Sequence, residues 1–163
     1  KKEKETAKKS LKLLKKEDSK LANFFKNKNF TDLGFVTITI TGSPEPLSNR
    51  ILEALGAKLN QIWDERSNKP KFVNDINNFL ESESVLASTD ILKLFRETNS
   101  KLKKEGFSGL LLIIDELGKF LEFEARNQEY NDIYLLQILS EETLRITGFN
   151  FSLVVLLHQT FDQ

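Results

Sequence analysis

Apolar residues fall into two kinds of run along this chain, and their spacing predicts its elements. Phe35-Val36-Thr37-Ile38-Thr39-Ile40-Thr41 alternates apolar and β-branched polar residues, the period-two signature of a strand. Gly42-Ser43-Pro44-Glu45-Pro46 breaks it, because two prolines so close together cannot continue a hydrogen-bonded ladder. Leu47, Ile51, Leu55, Leu59 and Ile62 then recur at helical spacing. Asn68-Lys69-Pro70 ends that helix, and Phe72, Val73, Ile76, Phe79 and Leu80 mark a shorter one. Ile91, Phe95, Thr98 and Leu102 trace a third helix, with Ser88 or Thr89 as its N-cap. Gly106 is placed to end it in a left-handed turn.

The next run has a different character. Gly109-Leu110-Leu111-Leu112-Ile113-Ile114-Asp115-Glu116 holds five aliphatics in succession, without alternation, as expected for a strand covered on both faces. A helix follows from about Asp132 to Ile146, with Leu135, Leu136, Leu139 and Leu144 inward and Gly148 stopping it. Phe151-Ser152-Leu153-Val154-Val155-Leu156-Leu157 reads as another strand buried on two sides, and it ends in His158-Gln159. Strands near 35–41, 109–115 and 151–157 alternating with helices predict an α/β fold, a three-layer parallel sheet flanked by helices.

Charge separates the start of the chain from the rest. Net charge is zero overall, yet residues 1–30 hold eleven lysines against four acids, a net +7, leaving −7 on residues 31–163. Ala7, Leu11, Leu14, Leu21 and Phe25 share one helical face, so residues 1–30 read as a lysine-rich amphipathic helical segment. A solvated helix surface explains the lysines, and a nucleic-acid contact is the alternative. Residues 31–163 form the core part of a domain.

Composition removes several chemistries. With no cysteine, disulfide frameworks, thiolate metal sites and cysteine nucleophiles are excluded together. The lone histidine, His158, excludes a multi-histidine metal site within this chain. No apolar run approaches the roughly 20 residues that span a bilayer, and no secretory leader pattern is present. The expectation is a cytoplasmic protein with no membrane partner. The chain also lacks methionine and stops just after an apolar strand, which suggests a piece of something longer.

Ligands of open parallel sheets gather outside the carboxyl ends of the strands. There the chain places Asp115 and Glu116 after one strand, and His158 and Gln159 after another. Ionised carboxylates beside a dry core need partners. One economical use is a metal site with a base, one carboxylate holding Mg2+ and the other polarising an attacking water. A histidine or glutamine on the neighbouring strand could then sense a terminal phosphate. The plainer use is structural, since a strand often ends in an acid where the chain surfaces.

Leu111-Leu112-Ile113-Ile114-Asp115-Glu116 resembles the Walker B element of P-loop ATPases of the additional-strand, catalytic-glutamate type, which include AAA+ and STAND proteins. The longer stretch Ile113 to Glu122, with Asp132 to Gln137 and Leu156 to Phe161, resembles large bacterial AAA-type ATP-binding proteins. Thr41 to Leu47 is similar to their second strand and the turn after it. The resemblance covers roughly residues 30–163. It implies a partial P-loop NTPase fold with ATP and Mg2+ as cofactors, Asp115 as the metal ligand and Glu116 as the catalytic base. His158 or Gln159 would occupy the sensor-1 position, where many relatives carry a different polar residue. Lys119 reads as a surface charge.

No Gly-x-x-x-x-Gly-Lys-Ser/Thr loop occurs among the seven scattered glycines. In the resembled architecture, that loop and its strand precede the second strand, so they would lie upstream of Lys1. Its strand order, 5-1-4-3-2, makes the three strands seen here neighbours and leaves the last without its usual partner. The resemblance implies Mg-dependent ATP hydrolysis in a larger protein, with nucleic-acid processing or phage defence as the process served. Other domains of the same chain or a homo-oligomer would be its partners. Two alternatives stand beside it: a non-catalytic nucleotide switch or scaffold, and nucleic-acid binding through residues 1–30. A metal-dependent nuclease fits worse, because Asp115-Glu116-Leu117-Gly118-Lys119 lacks the Glu-x-Lys spacing of many such sites.

Overall fold

The β-branched and aliphatic runs become three parallel strands. A computed structural model describes residues 2–20, 23, 33–64, 68–82, 86–127, 130–144 and 150–157, and the chain divides into two units, Lys1–Asp32 and Leu33–Gln163. In the first, helix α1 (Lys2–Glu17) has Leu11 and Leu14 half-buried and Leu13 exposed. Leu21 and Phe25, expected on the same face, lie outside the described residues.

The second unit runs β1 (Phe35–Thr41), α2 (Leu47–Trp63), α3 (Lys71–Glu81), α4 (Ser88–Lys104), β2 (Gly109–Asp115), α5 (Leu117–Arg126), α6 (Asp132–Thr143) and β3 (Phe151–Val155). The sheet order is β1-β2-β3, all parallel, so the three strands are neighbours in the order expected. Residues opposite one another in a ladder share a face of the sheet. The register therefore puts Val36, Leu110 and Phe151 together, then Ile38, Leu112 and Leu153, then Ile40, Ile114 and Val155. Apart from Leu153 and Val155 these are buried, and they join Leu47, Ile51, Leu55 and Leu59 of α2, Ile91, Phe95 and Leu102 of α4, and Leu135 and Leu139 of α6 in one core. A fully buried side chain of this size contributes about 1.5–3 kcal/mol. That face is therefore what binds the helices to the sheet, α2 against β1, α4 against β2 and α6 against β3.

The opposite face departs from the two-sided burial expected of β2 and β3. Leu111 and Ile113 are half-buried, the threonines of β1 are exposed, and Val154 of β3 is 42% exposed; on the core face, Val155 at the end of β3 is 36% exposed. Among the described residues the core lies on one face, and the third layer is not seen. Unbroken aliphatic runs record what a strand can bury, and here only half of that capacity is used.

Several local expectations also change. Neither Ser88 nor Thr89 caps α4: Ala87 is the N-cap, and Ser88 is buried in the first turn. Ile62 packs half-buried against the core as expected, and Trp63, buried and edge-on to Phe72 at 6.4 Å between ring centres, joins it. Helix α6 stops at Thr143, so Leu144 falls beyond it and is 80% exposed, while Ile138 turns inward. Ile146 and Gly148 lie outside the described residues. Gly106 does adopt the left-handed conformation (φ +89°), with Phe107 N–H donating to Leu102 O at 3.0 Å and Gly106 N–H to Lys103 O at 3.2 Å.

Side chains distant in sequence tie the helix layer together. Pro46 precedes α2 and offers no side-chain cap. Asp132 does so instead, its Oδ2 accepting from Leu47 N–H at 2.6 Å and its Oδ1 from Ser48 N–H at 3.0 Å. Asp132 N–H in turn donates to Glu124 Oε1 at 3.1 Å, so one acid caps α2 and another caps α6. Between α4 and α6, Arg96 donates through Nε and Nη2 to the two carboxylate oxygens of buried Glu142, at 2.9 and 2.5 Å. Arg96→Ala removes two charge-assisted bonds from that buried carboxylate, and we expect a loss of roughly 1–3 kcal/mol in urea unfolding. An unchanged midpoint would show that Glu142 hydrates freely.

Candidate active site

The carboxyl ends of the three strands are stitched into one rim. Gly42 N–H, just past β1, donates to Asp115 O at 2.9 Å. Leu156 N–H, just past β3, donates to Ile114 O at 2.8 Å, and Leu156 O accepts from Leu117 N–H at 3.1 Å. The central strand's end is thereby held from both sides, with Asp115 and Glu116 at its tip.

Asp115 pairs with Thr41 in the ladder and shares the parity of Leu111 and Ile113, which places it on the face away from the helices. It is half-buried, and its Oδ1 accepts Glu116 N–H at 2.9 Å. That bond turns the chain at once. Glu116 takes φ 53° and ψ 44°, a left-handed conformation, and α5 starts at the next residue. Outside glycine this conformation costs roughly 1–2 kcal/mol. Strain of this kind gathers at functional sites, and here it lifts the Glu116 side chain off the line of the strand. Its Oε2 accepts Lys119 Nζ at 2.7 Å, with the two side chains 32% and 52% exposed. Lys119, expected as a surface charge, is therefore the ion-pair partner of the candidate base. At this exposure such a pair contributes at most about 1 kcal/mol.

Gly42 is the other fixed point. A Cβ built there would lie 2.2 Å from Glu116 O, so only glycine lets the end of β1 approach this closely. Beyond it, Ser43 Oγ bonds Glu45 Oε1, while Arg50 Nε stands 3.3 Å from the same oxygen and Nη1 2.6 Å from Glu53 Oε2. Helix α5 and the contact of Gly42 with Glu116 escaped sequence reasoning. Gly118 in the first turn and the absence of a Ser, Thr, Asp or Asn N-cap hide the helix. The two prolines after Gly42 advertised a turn and nothing more.

His158 and Gln159 lie outside the described residues. Among the described residues no three His, Cys, Asp or Glu side chains are grouped to hold a metal. A magnesium ion does not require such a cage. It is commonly held by one or two carboxylates, with phosphate oxygens and water completing its shell. A half-buried carboxylate at a strand end fits that donor set. Among the described residues no helix is long and apolar enough to cross a membrane.

Comparison with family models, curated proteins and solved structures returns no match for this chain.

Gly42→Ala tests the packing of this rim. The added methyl must displace the Glu116 carbonyl, so we expect about 1–3 kcal/mol of destabilisation in urea unfolding, as for an overpacked site. Full stability in that variant would show that the end of β1 is free to move away.

Proposed function

We propose that the chain is part of a P-loop ATPase domain of the AAA+/STAND type, in which Asp115 holds Mg2+ and Glu116 activates the attacking water. The observation that carries this reading is the pair of adjacent carboxylates at the carboxyl end of the central strand of a parallel sheet, the second of them in a strained backbone conformation. The order β1-β2-β3 supports it, because strands two, three and four are neighbours in that architecture.

Two surfaces add support. Val154, Leu156 and Leu157 are 42%, 46% and 59% exposed along the side of the sheet where the architecture places the strand bearing the phosphate loop. Half-buried Leu111 and Ile113 leave apolar area for a helix layer on the second face, which would complete the three-layer fold.

A bound magnesium ion would neutralise charge on the terminal phosphate and polarise it for attack. Within this chain, Asp115 supplies a carboxylate oxygen to that ion. Its bond from Glu116 N–H fixes how the two acids are set relative to one another. Glu116 orients a water and accepts its proton, and Lys119 sits beside it as a counter-charge. His158 and Gln159 follow Leu157 and belong to the proposal, on sequence grounds, as the phosphate-sensing pair.

One observation favours a second reading, a nucleotide switch without turnover: the Glu116 carboxylate is engaged by Lys119. Glu116→Gln in the complete protein separates the two. We expect ATP turnover to fall by at least about 100-fold, the usual scale for losing a general base, with ATP still bound. Unchanged turnover would remove Glu116 from the base role. An intact protein that binds ATP and never hydrolyses it would favour the switch.

A further inference from the structure

Away from the strand-end rim, two buried acids meet where α5, α6 and α2 converge. Glu124 is 5% exposed and Asp132 2% exposed. Both oxygens of Asp132 receive backbone N–H groups, from Leu47 and Ser48. Glu124 differs: its Oε1 accepts Asp132 N–H at 3.1 Å, while its Oε2 is buried with no hydrogen-bond partner among the described residues. The charged group acting on Glu124 is Asp132, from α6. α2 faces the pair with Leu47 and Ser48, and the α5–α6 connection with Asn131, all uncharged.

An ionised oxygen in that position would be a desolvated charge beside a second negative charge. A neutral hydroxyl costs far less to bury. We propose that Glu124 and Asp132 form a proton-loaded latch on the start of α2, in which Glu124 Oε2 carries a proton in the closed fold and its loss loosens the junction of α5, α6 and α2. The proton leaves to solvent, and no other reactant is involved. Asp132 keeps its charge, stabilised by the first-turn donors of α2.

The direction of titration agrees. Burial raises the Glu124 carboxyl above its ordinary value and the Asp132 charge raises it further, against the Asp132 N–H bond and the nearby Asn131 N–H. Burial raises Asp132 as well, against hydrogen bonds from Ser48 and Leu47. An unfolded glutamate titrates near pH 4.3. Between that point and the raised folded value the native state holds the extra proton, so stability falls as pH rises through this window. The loop Gly42 to Pro46 connects Glu116's contact at Gly42 to the start of α2. The latch therefore acts on the segment that frames the rim, whatever chemistry the rim performs.

The test uses the full chain. Urea unfolding from pH 5 to 8 is expected to show a wild-type midpoint that declines with pH, a flatter profile for Glu124→Gln, and a variant at least as stable as wild type at pH 8. Parallel profiles would overturn the latch. Protection of the Leu47 and Ser48 amides, corrected for intrinsic exchange, is expected to drop several-fold between pH 5 and pH 8 in wild type and to hold in Glu124→Gln; equal protection across that range in wild type would overturn it too. Should the variant fail to fold, carbon-13 labelling of the glutamates in wild type still decides. One carboxyl carbon retaining the protonated shift well above pH 5 supports the proposal, and ordinary titration of every glutamate refutes it.

Discussion

The helix layer depends on a carboxylate that reaches across the sequence. Asp132, the first residue of α6, closes the N-terminus of α2, whose N–H groups are 84 and 85 residues away in the chain. Pro46 at the N-cap leaves those donors without a local partner, and a buried helix end with open N–H groups is costly. Hydrophobic burial holds α2 and α6 to the sheet without fixing their axial positions. The Asp132 bonds supply that fixing, and Glu124 repeats the device at the start of α6. Three helix ends are thereby set against one another by two acids.

The same economy of polar groups shapes the rim. Asp115 uses one oxygen to turn the chain through Glu116, and the next strand approaches closely enough that only a glycine fits at position 42. Glu116 pays in backbone strain for a side chain aimed off the strand axis. The candidate base is consequently positioned by hydrogen bonds of the sheet itself, from β1 on one side and β3 on the other. A base that acts on water gains from such rigidity, because the geometry of attack is set before substrate arrives.

Much of this was legible in the residues. Alternation in 35–41 marked β1 as a strand, and its every second residue, Val36, Ile38 and Ile40, is the buried one. The aliphatic runs of β2 and β3 carry no such record, and burial on both faces was inferred where the described residues cover one. Helix positions followed from 3.6-residue spacing, with errors at the ends, where Leu144 and Ser88 sit in places that tertiary contacts decide. Asp115 and Glu116 were legible as a pair at a strand end. Nothing local announces that Asp132 caps α2 or that Glu124 stands behind it, because each partner is set by the fold. Lys119 looked like surface charge, and its distance of three residues from Glu116 was the signal that could have linked them.

Titration calorimetry of the complete protein with ATP, with and without magnesium, tests the central claim most directly when wild type is compared with Asp115→Asn. Wild type is expected to bind ATP more tightly when magnesium is present, and Asp115→Asn to lose that gain while still binding the free nucleotide. A complete protein that binds no ATP, or a variant that keeps the full magnesium effect, would contradict the assignment of this rim to nucleotide chemistry.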